Sequence, residues 1–109
     1  MGALSTKVLP DTIRSIDSAT FTGSYQAVGT KLTHPTRIVK FTNNSTVAVT
    51  LSWDGTNDHE FLPAGSFMLI DVSSDRETAN IFEIGANTQF YVKGAAGTGS
   101  FYISTYYGV

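Results

Sequence analysis

Val47-Ala48-Val49-Thr50-Leu51-Ser52-Trp53 alternates large apolar residues with small or hydroxylated ones at every step. Successive side chains of an extended strand point to opposite faces. Val47, Val49, Leu51 and Trp53 therefore share one side, and Ala48, Thr50 and Ser52 the other. A helix would scatter these residues around its axis. The period of two fixes the stretch as a half-buried strand with Trp53 in the core.

The flanks carry turn chemistry. Asn43-Asn44-Ser45 reads as a turn on one side, and Asp54-Gly55 opens another, where Gly accepts positive φ at low cost. Upstream, residues 36–42 alternate, with Val39 and Phe41 on one face and Ile38 and Lys40 on the other. Residues 21–28 read as a strand closed by Gly29. Downstream, Phe61-Leu62 is a short strand and Pro63-Ala64-Gly65 reverses the chain. Residues 66–72 form a strongly apolar strand. Ser74-Asp75-Arg76-Glu77 has capping-box spacing for one helical turn. Residues 81–84 and 89–93 are short strands, the latter with Phe90 and Val92 inward. Residues 94–99 form a small-residue loop, and residues 100–107 the last strand. About eight short strands at this rhythm predict an all-β domain: a small antiparallel β-sandwich, jelly-roll-like.

The first twenty residues differ. Leu4, Val8, Leu9, Ile13 and Ile16 are irregularly spaced, and Pro10 interrupts any element. We read an extended N-terminal arm over 1–20, with a first short strand at 13–16, and the sandwich over 21–109. Such an arm needs a holder, either its own domain or a neighbouring chain.

Composition narrows the function. The chain has 109 residues, the length of one domain. It has no Cys, which removes disulfides and thiolate chemistry. Seven basic and nine acidic residues give a net charge of −2, without the basic cluster expected of a duplex-binding protein. Charged residues make up 15% of the chain, against about 25% in a typical domain, so much of the surface is neutral. There is no long apolar run of membrane-spanning length and no secretion-signal pattern near Met1. Met1-Gly2-Ala3-Leu4-Ser5-Thr6 formally fits a myristoylation pattern and is read as a chance match. Neither nucleic acid nor membrane is an expected partner.

The candidate chemistry is thin. Asp58-His59-Glu60 places acids beside a His, but neighbours on a strand face opposite ways, against a catalytic triad. His34 lies in a polar loop before Pro35. Asp54, Asn57, Asp58 and Glu60 supply oxygen ligands, yet lack the order of a calcium loop and match turn chemistry instead. The glycines of 94–99 lead into a strand rather than a helix, unlike a phosphate loop. No enzyme activity, metal or cofactor is expected. The tyrosines are the stronger signal. If the last two strands pair, Tyr91, Tyr102 and Tyr106 form one outward stripe, suited to a protein interface or to stacking on sugar rings.

The stretch from Phe41-Thr42-Asn43-Asn44-Ser45 through Val47-Ala48-Val49-Thr50-Leu51-Ser52-Trp53-Asp54-Gly55-Thr56-Asn57-Asp58-His59-Glu60-Phe61-Leu62-Pro63-Ala64-Gly65 resembles small structural proteins of tailed bacteriophage particles. The closing strand over 101–108 is similar too. The likeness covers about half of the chain and contains no catalytic landmark. It implies a virion component. The role it suggests first is a capsid cement or decoration protein that binds the major capsid protein and further copies of itself. A head–tail connector or tail component, bound to portal or tail proteins, is the alternative. A carbohydrate-binding module is the alternative of another class. The expected contact residues are Leu4, Val8, Leu9 and Ile13 of the arm, laid along a neighbouring subunit, with Tyr91, Tyr102 and Tyr106.

Overall fold

The strand periods translate into two antiparallel sheets. The computed structural model describes residues 8–72 and 84–108. Its strands are β1 (Val8–Pro10), β2 (Arg14–Asp17), β3 (Gln26–Ala27), β4 (Thr36–Ser45), β5 (Val49–Ser52), β6 (Glu60–Leu62), β7 (Phe67–Asp71), β8 (Tyr91–Lys93) and β9 (Gly99–Gly108). One sheet runs β1-β9-β4-β7, with β2 also pairing with β9; the other runs β3-β8-β5-β6. Strands pair from the ends of the chain inward: β2 with β9, β3 with β8, β4 with β7, β5 with β6. Successive pairs alternate between the sheets. That nesting is a long folded ribbon rolled into two layers, the jelly-roll form of the β-sandwich expected from the sequence.

Alternation decides what lies between the layers. Val39 and Phe41 of β4, Val49 and Leu51 of β5, Val92 of β8, and Phe101 and Ile103 of β9 are all fully buried. Val47 and Trp53 pack against this core at the two ends of the β5 run. Phe90 meets Phe41 edge-to-face at 5.1 Å between ring centroids and Trp53 at 4.9 Å. Each such aliphatic side chain contributes roughly 1.5–3 kcal/mol on burial, and an aromatic pair adds about 0.5–1.5 kcal/mol.

Several elements differ from the sequence reading. Asn43-Asn44-Ser45 is not a turn: it completes β4, opposite Phe101, Ser100 and Gly99. Asn43 is buried, and its side-chain amide donates to the carbonyls of Val47, Leu62 and Pro63 at 2.9, 3.1 and 3.1 Å. The side chain that suits a turn here bonds across the sandwich end instead. Within 21–28 only Gln26–Ala27 is strand. The capping-box segment 74–77 and residues 81–83 lie outside the described residues, while Ile84 bridges Thr36.

The segment read as an arm holds two strands from Val8 onward, followed by a 3-10 turn at Ser18–Thr20. Val8, Leu9 and Pro10 pair with Gly108, Tyr107 and Tyr106, and Arg14–Asp17 pairs with residues 100–103. Of the two possible holders, the chain's own β9 holds residues 8–17. Arg14 takes an inward position opposite Ile103 and is buried. Its guanidinium donates to the carbonyls of Thr30 (2.7 Å), Lys31 (3.1 Å) and Thr12 (3.2 Å), which offsets its desolvation.

Candidate interaction surface

The outer face of the five-stranded sheet follows from its register. Tyr102 lies beside Thr42 on β4 and Ser15 on β2; Thr42 in turn neighbours Phe67 on β7. Ser104 lies beside Lys40, which neighbours Leu69. Tyr106 lies between Pro10 and Ile38. Phe101, Ile103 and Thr105 alternate with these residues and are buried, so Tyr102 and Tyr106 face outward as expected.

This face is unusually apolar for an exposed one. Phe67 is 65% exposed, Leu69 54% and Tyr106 36%. The Lys40 ammonium stands 5.1 Å from the centre of the Phe67 ring, a cation–π contact that leaves most of the ring open. At the β1–β2 end, Val8, Leu9 and Ile13 are also exposed. Ile13 rims a depression of about 340 Å³ shared with Asp11, Arg14, Gly29 and Thr30. Tyr107 is stacked on His34 at 3.9 Å, which closes that corner.

The register thus puts Val8 on the same face as Tyr102 and Tyr106, while Leu9 pairs with Tyr107 and faces the other way; Ile13 stands exposed in the link between β1 and β2. Leu4 lies outside the described residues. Tyr91 does not join them. Its strand pairs with β3 and β5 in the other sheet, and β8 never meets β9. The three-tyrosine stripe is therefore not formed: β8 and β9, though consecutive in the chain, belong to opposite layers.

The second sheet carries a polar cluster that the sequence reading did not assemble. The Tyr25 hydroxyl donates to the Asp58 carboxylate, and Lys93 Nζ lies 3.1 Å from the same carboxylate. The Lys93 ammonium also stands 4.7 Å above the Tyr25 ring. Burial and the bond to Asp58 push the Tyr25 phenol up to about 12. The Tyr25 bond and then the Lys93 bond hold the Asp58 carboxyl below its ordinary range. Phe61 stands exposed on the neighbouring edge.

The loop after Trp53 is built by Asp54. Its carboxylate accepts the backbone N–H groups of Thr56 (2.8 Å) and Asn57 (2.9 Å), the Asn57 amide and the Ser52 hydroxyl. These donors, the backbone ones foremost, hold its pKa well below the usual carboxylate range. His59 Nδ1 accepts the Trp53 backbone N–H at 3.0 Å. The residues weighed for catalysis and calcium are thus tied into turn and strand contacts. Among the described residues no three His, Asp or Glu side chains gather where they could hold a metal ion.

Phe67 and Leu69 are the surface residues that the sequence reading passed over. The run Phe67-Met68-Leu69-Ile70 is apolar at every position, which suggests a strand covered on both faces. Only Met68 and Ile70 face the core. No protein-family model matches the chain, and a comparison with curated proteins also finds no match.

Proposed function

We propose that this chain is a structural subunit of a tailed-phage particle, adhering to neighbouring subunits through the β1–β2–β9 side of its five-stranded sheet. The observation that carries the reading is the set of exposed apolar residues along this edge: Val8 and Tyr106 on the outer face, with Leu9 and Ile13 exposed beside them. Patches of this kind mark protein contacts. The jelly roll supports the reading by analogy of fold alone, since it builds viral capsid proteins as well as lectins. The resemblance of residues 41–65 to virion proteins, read from the sequence, points the same way. Within a particle, a capsid cement or decoration role bound to the major capsid protein comes first, and a connector or tail role second.

Point substitutions test this better than a truncation. Removing residues 1–18 would strip β1 and β2 from β9. Purified chain is added to purified capsids and tails, and the bound fraction is measured by co-sedimentation. The wild type binds capsids saturably, and Ile13→Ser with Tyr106→Ser weakens binding at least about tenfold, which is about 1.4 kcal/mol. Binding to neither assembly, or binding untouched by the double variant while the fold is intact, overturns the reading. Binding to tails alone moves the protein to the connector or tail role.

A further inference from the structure

The five-stranded sheet ends at β7, and the hydrogen-bond phase of β7 shows what that edge presents. Asn43 N donates to Ser66 O (2.8 Å), and Val72 N donates to Arg37 O (2.7 Å). The register between β4 and β7 is continuous from Thr42–Phe67 to Ile38–Asp71. Hydrogen-bonded positions alternate along an antiparallel strand, so Met68 and Ile70 aim their main-chain groups at β4. Phe67, Leu69 and Asp71 aim theirs outward. Among the described residues nothing meets the main-chain groups of Phe67 and Leu69.

Sheet edges invite pairing with other chains unless they are short, broken, or guarded by Pro or charge. Among the described strands, the other edge strands are all shorter than β7. β3 has two residues; β6 has three, begins at Glu60 and is followed by Pro63; β1 ends in Pro10, and the chain breaks from the ladder before β2. By contrast, β7 has five residues, no Pro, no Lys and no register shift, and its one charge, Asp71, comes at its last position. Of its three outward-bonding residues, Phe67 and Leu69 are large, apolar and exposed.

We infer that β7 is a self-association edge: two copies of this chain pair antiparallel through it, with Phe67 of each opposite Leu69 of the other. The occupant is a second copy because the edge is complementary to itself. In this register the two-fold axis passes between the paired Met68 residues. Phe67 and Leu69 of each copy then exchange main-chain bonds with Leu69 and Phe67 of the other. Each exposed Phe67 ring packs on the exposed Leu69 side chain across the axis. No like charges are opposed. Each Lys40 lies in the row of its own Leu69, and the two lysines fall in different rows three strands apart, about 14 Å at the usual strand spacing. That exceeds the Debye length at physiological salt, about 8 Å. The result is one sheet continuous through both copies. A contact this narrow sits at the low end of interface sizes.

The purified full chain alone tests this, so failure here leaves the particle reading standing, and the reverse. Sedimentation velocity is run from low micromolar to near-millimolar protein. The mass should double across that range, and Leu69→Lys should weaken association at least about tenfold. Hydrogen exchange is followed alongside. The Met68 and Ile70 amides should be protected at every concentration, and the Phe67 and Leu69 amides should gain protection only as the dimer forms. A monomer at all concentrations overturns the inference. So does a dimer in which Leu69→Lys has no effect and the Phe67 and Leu69 amides still exchange freely.

Discussion

Replacing Asn43 with Ala should destabilise the sandwich by about 3 kcal/mol. Asn43 sits on β4 at the end of the roll, where the β4–β5 connection and the turn after β6 come together. Its amide nitrogen donates to Val47 O, Leu62 O and Pro63 O, and its Oδ1 accepts the Ser45 hydroxyl at 2.6 Å. The bond to Leu62 is buried, while the other two carbonyls are only partly so. Water can reach the latter after truncation but not the former. One buried acceptor left without a donor costs about 1–3 kcal/mol, and the space vacated by the amide adds about 1 kcal/mol. The sum is a large share of a small domain's stability of about 5–15 kcal/mol.

Asn43→Asp sharpens the test. It keeps the shape but turns the donor into an acceptor facing three carbonyls. That environment raises the folded-state pKa of the new carboxyl above its unfolded value of about 3.9. A raised carboxyl binds its proton more tightly when folded. The variant is therefore least stable near neutral pH and recovers as pH falls through the folded-state value. Urea unfolding followed by Trp53 fluorescence, at neutral pH and near pH 4, measures both effects. A loss below about 1 kcal/mol for Asn43→Ala, or an Asn43→Asp penalty equal at both pH values, would refute the reasoning.

Three further outcomes are expected. Gly99 has φ +88°, and a Cβ there would lie 2.2 Å from Asn44 O, so Gly99→Ala should lower the thermal midpoint by several degrees, read by circular dichroism. The Asp54 carboxyl is held well below its ordinary value of 3.8, so its support of the loop is full above that pH and is lost only as pH falls toward the depressed folded-state value. The Thr56 and Asn57 amide resonances should accordingly stay unshifted through the ordinary carboxylate range in an NMR titration. The Tyr25 phenol, raised from 10.0 to about 12, should ionise well above pH 10.0 in ultraviolet titration, and Asp58→Asn should bring its midpoint down.

Local pattern settled a large part of this protein. The period of two around Val49 and Leu51, the phase of Val39 with Phe41, and that of Phe101 with Ile103 each depend only on a strand's alternation. The sandwich and most of its core followed from them, as did the outward direction of Tyr102 and Tyr106. Asp54-Gly55 and Pro63-Ala64-Gly65 announced their turns through backbone preference alone.

What the amino-acid order left open was which strand lies beside which. Pairing is non-local, and no neighbouring residue encodes it. Only the rolled topology puts Tyr91 in the opposite layer from Tyr102, ties residues 8–17 to β9 and makes Asn43 a buried bridge rather than a turn residue. Among the described residues it also leaves Phe67 and Leu69 on an edge with no further strand. An apolar run reads the same whether its second face is covered or bare, because its exposure is set by what packs on that face.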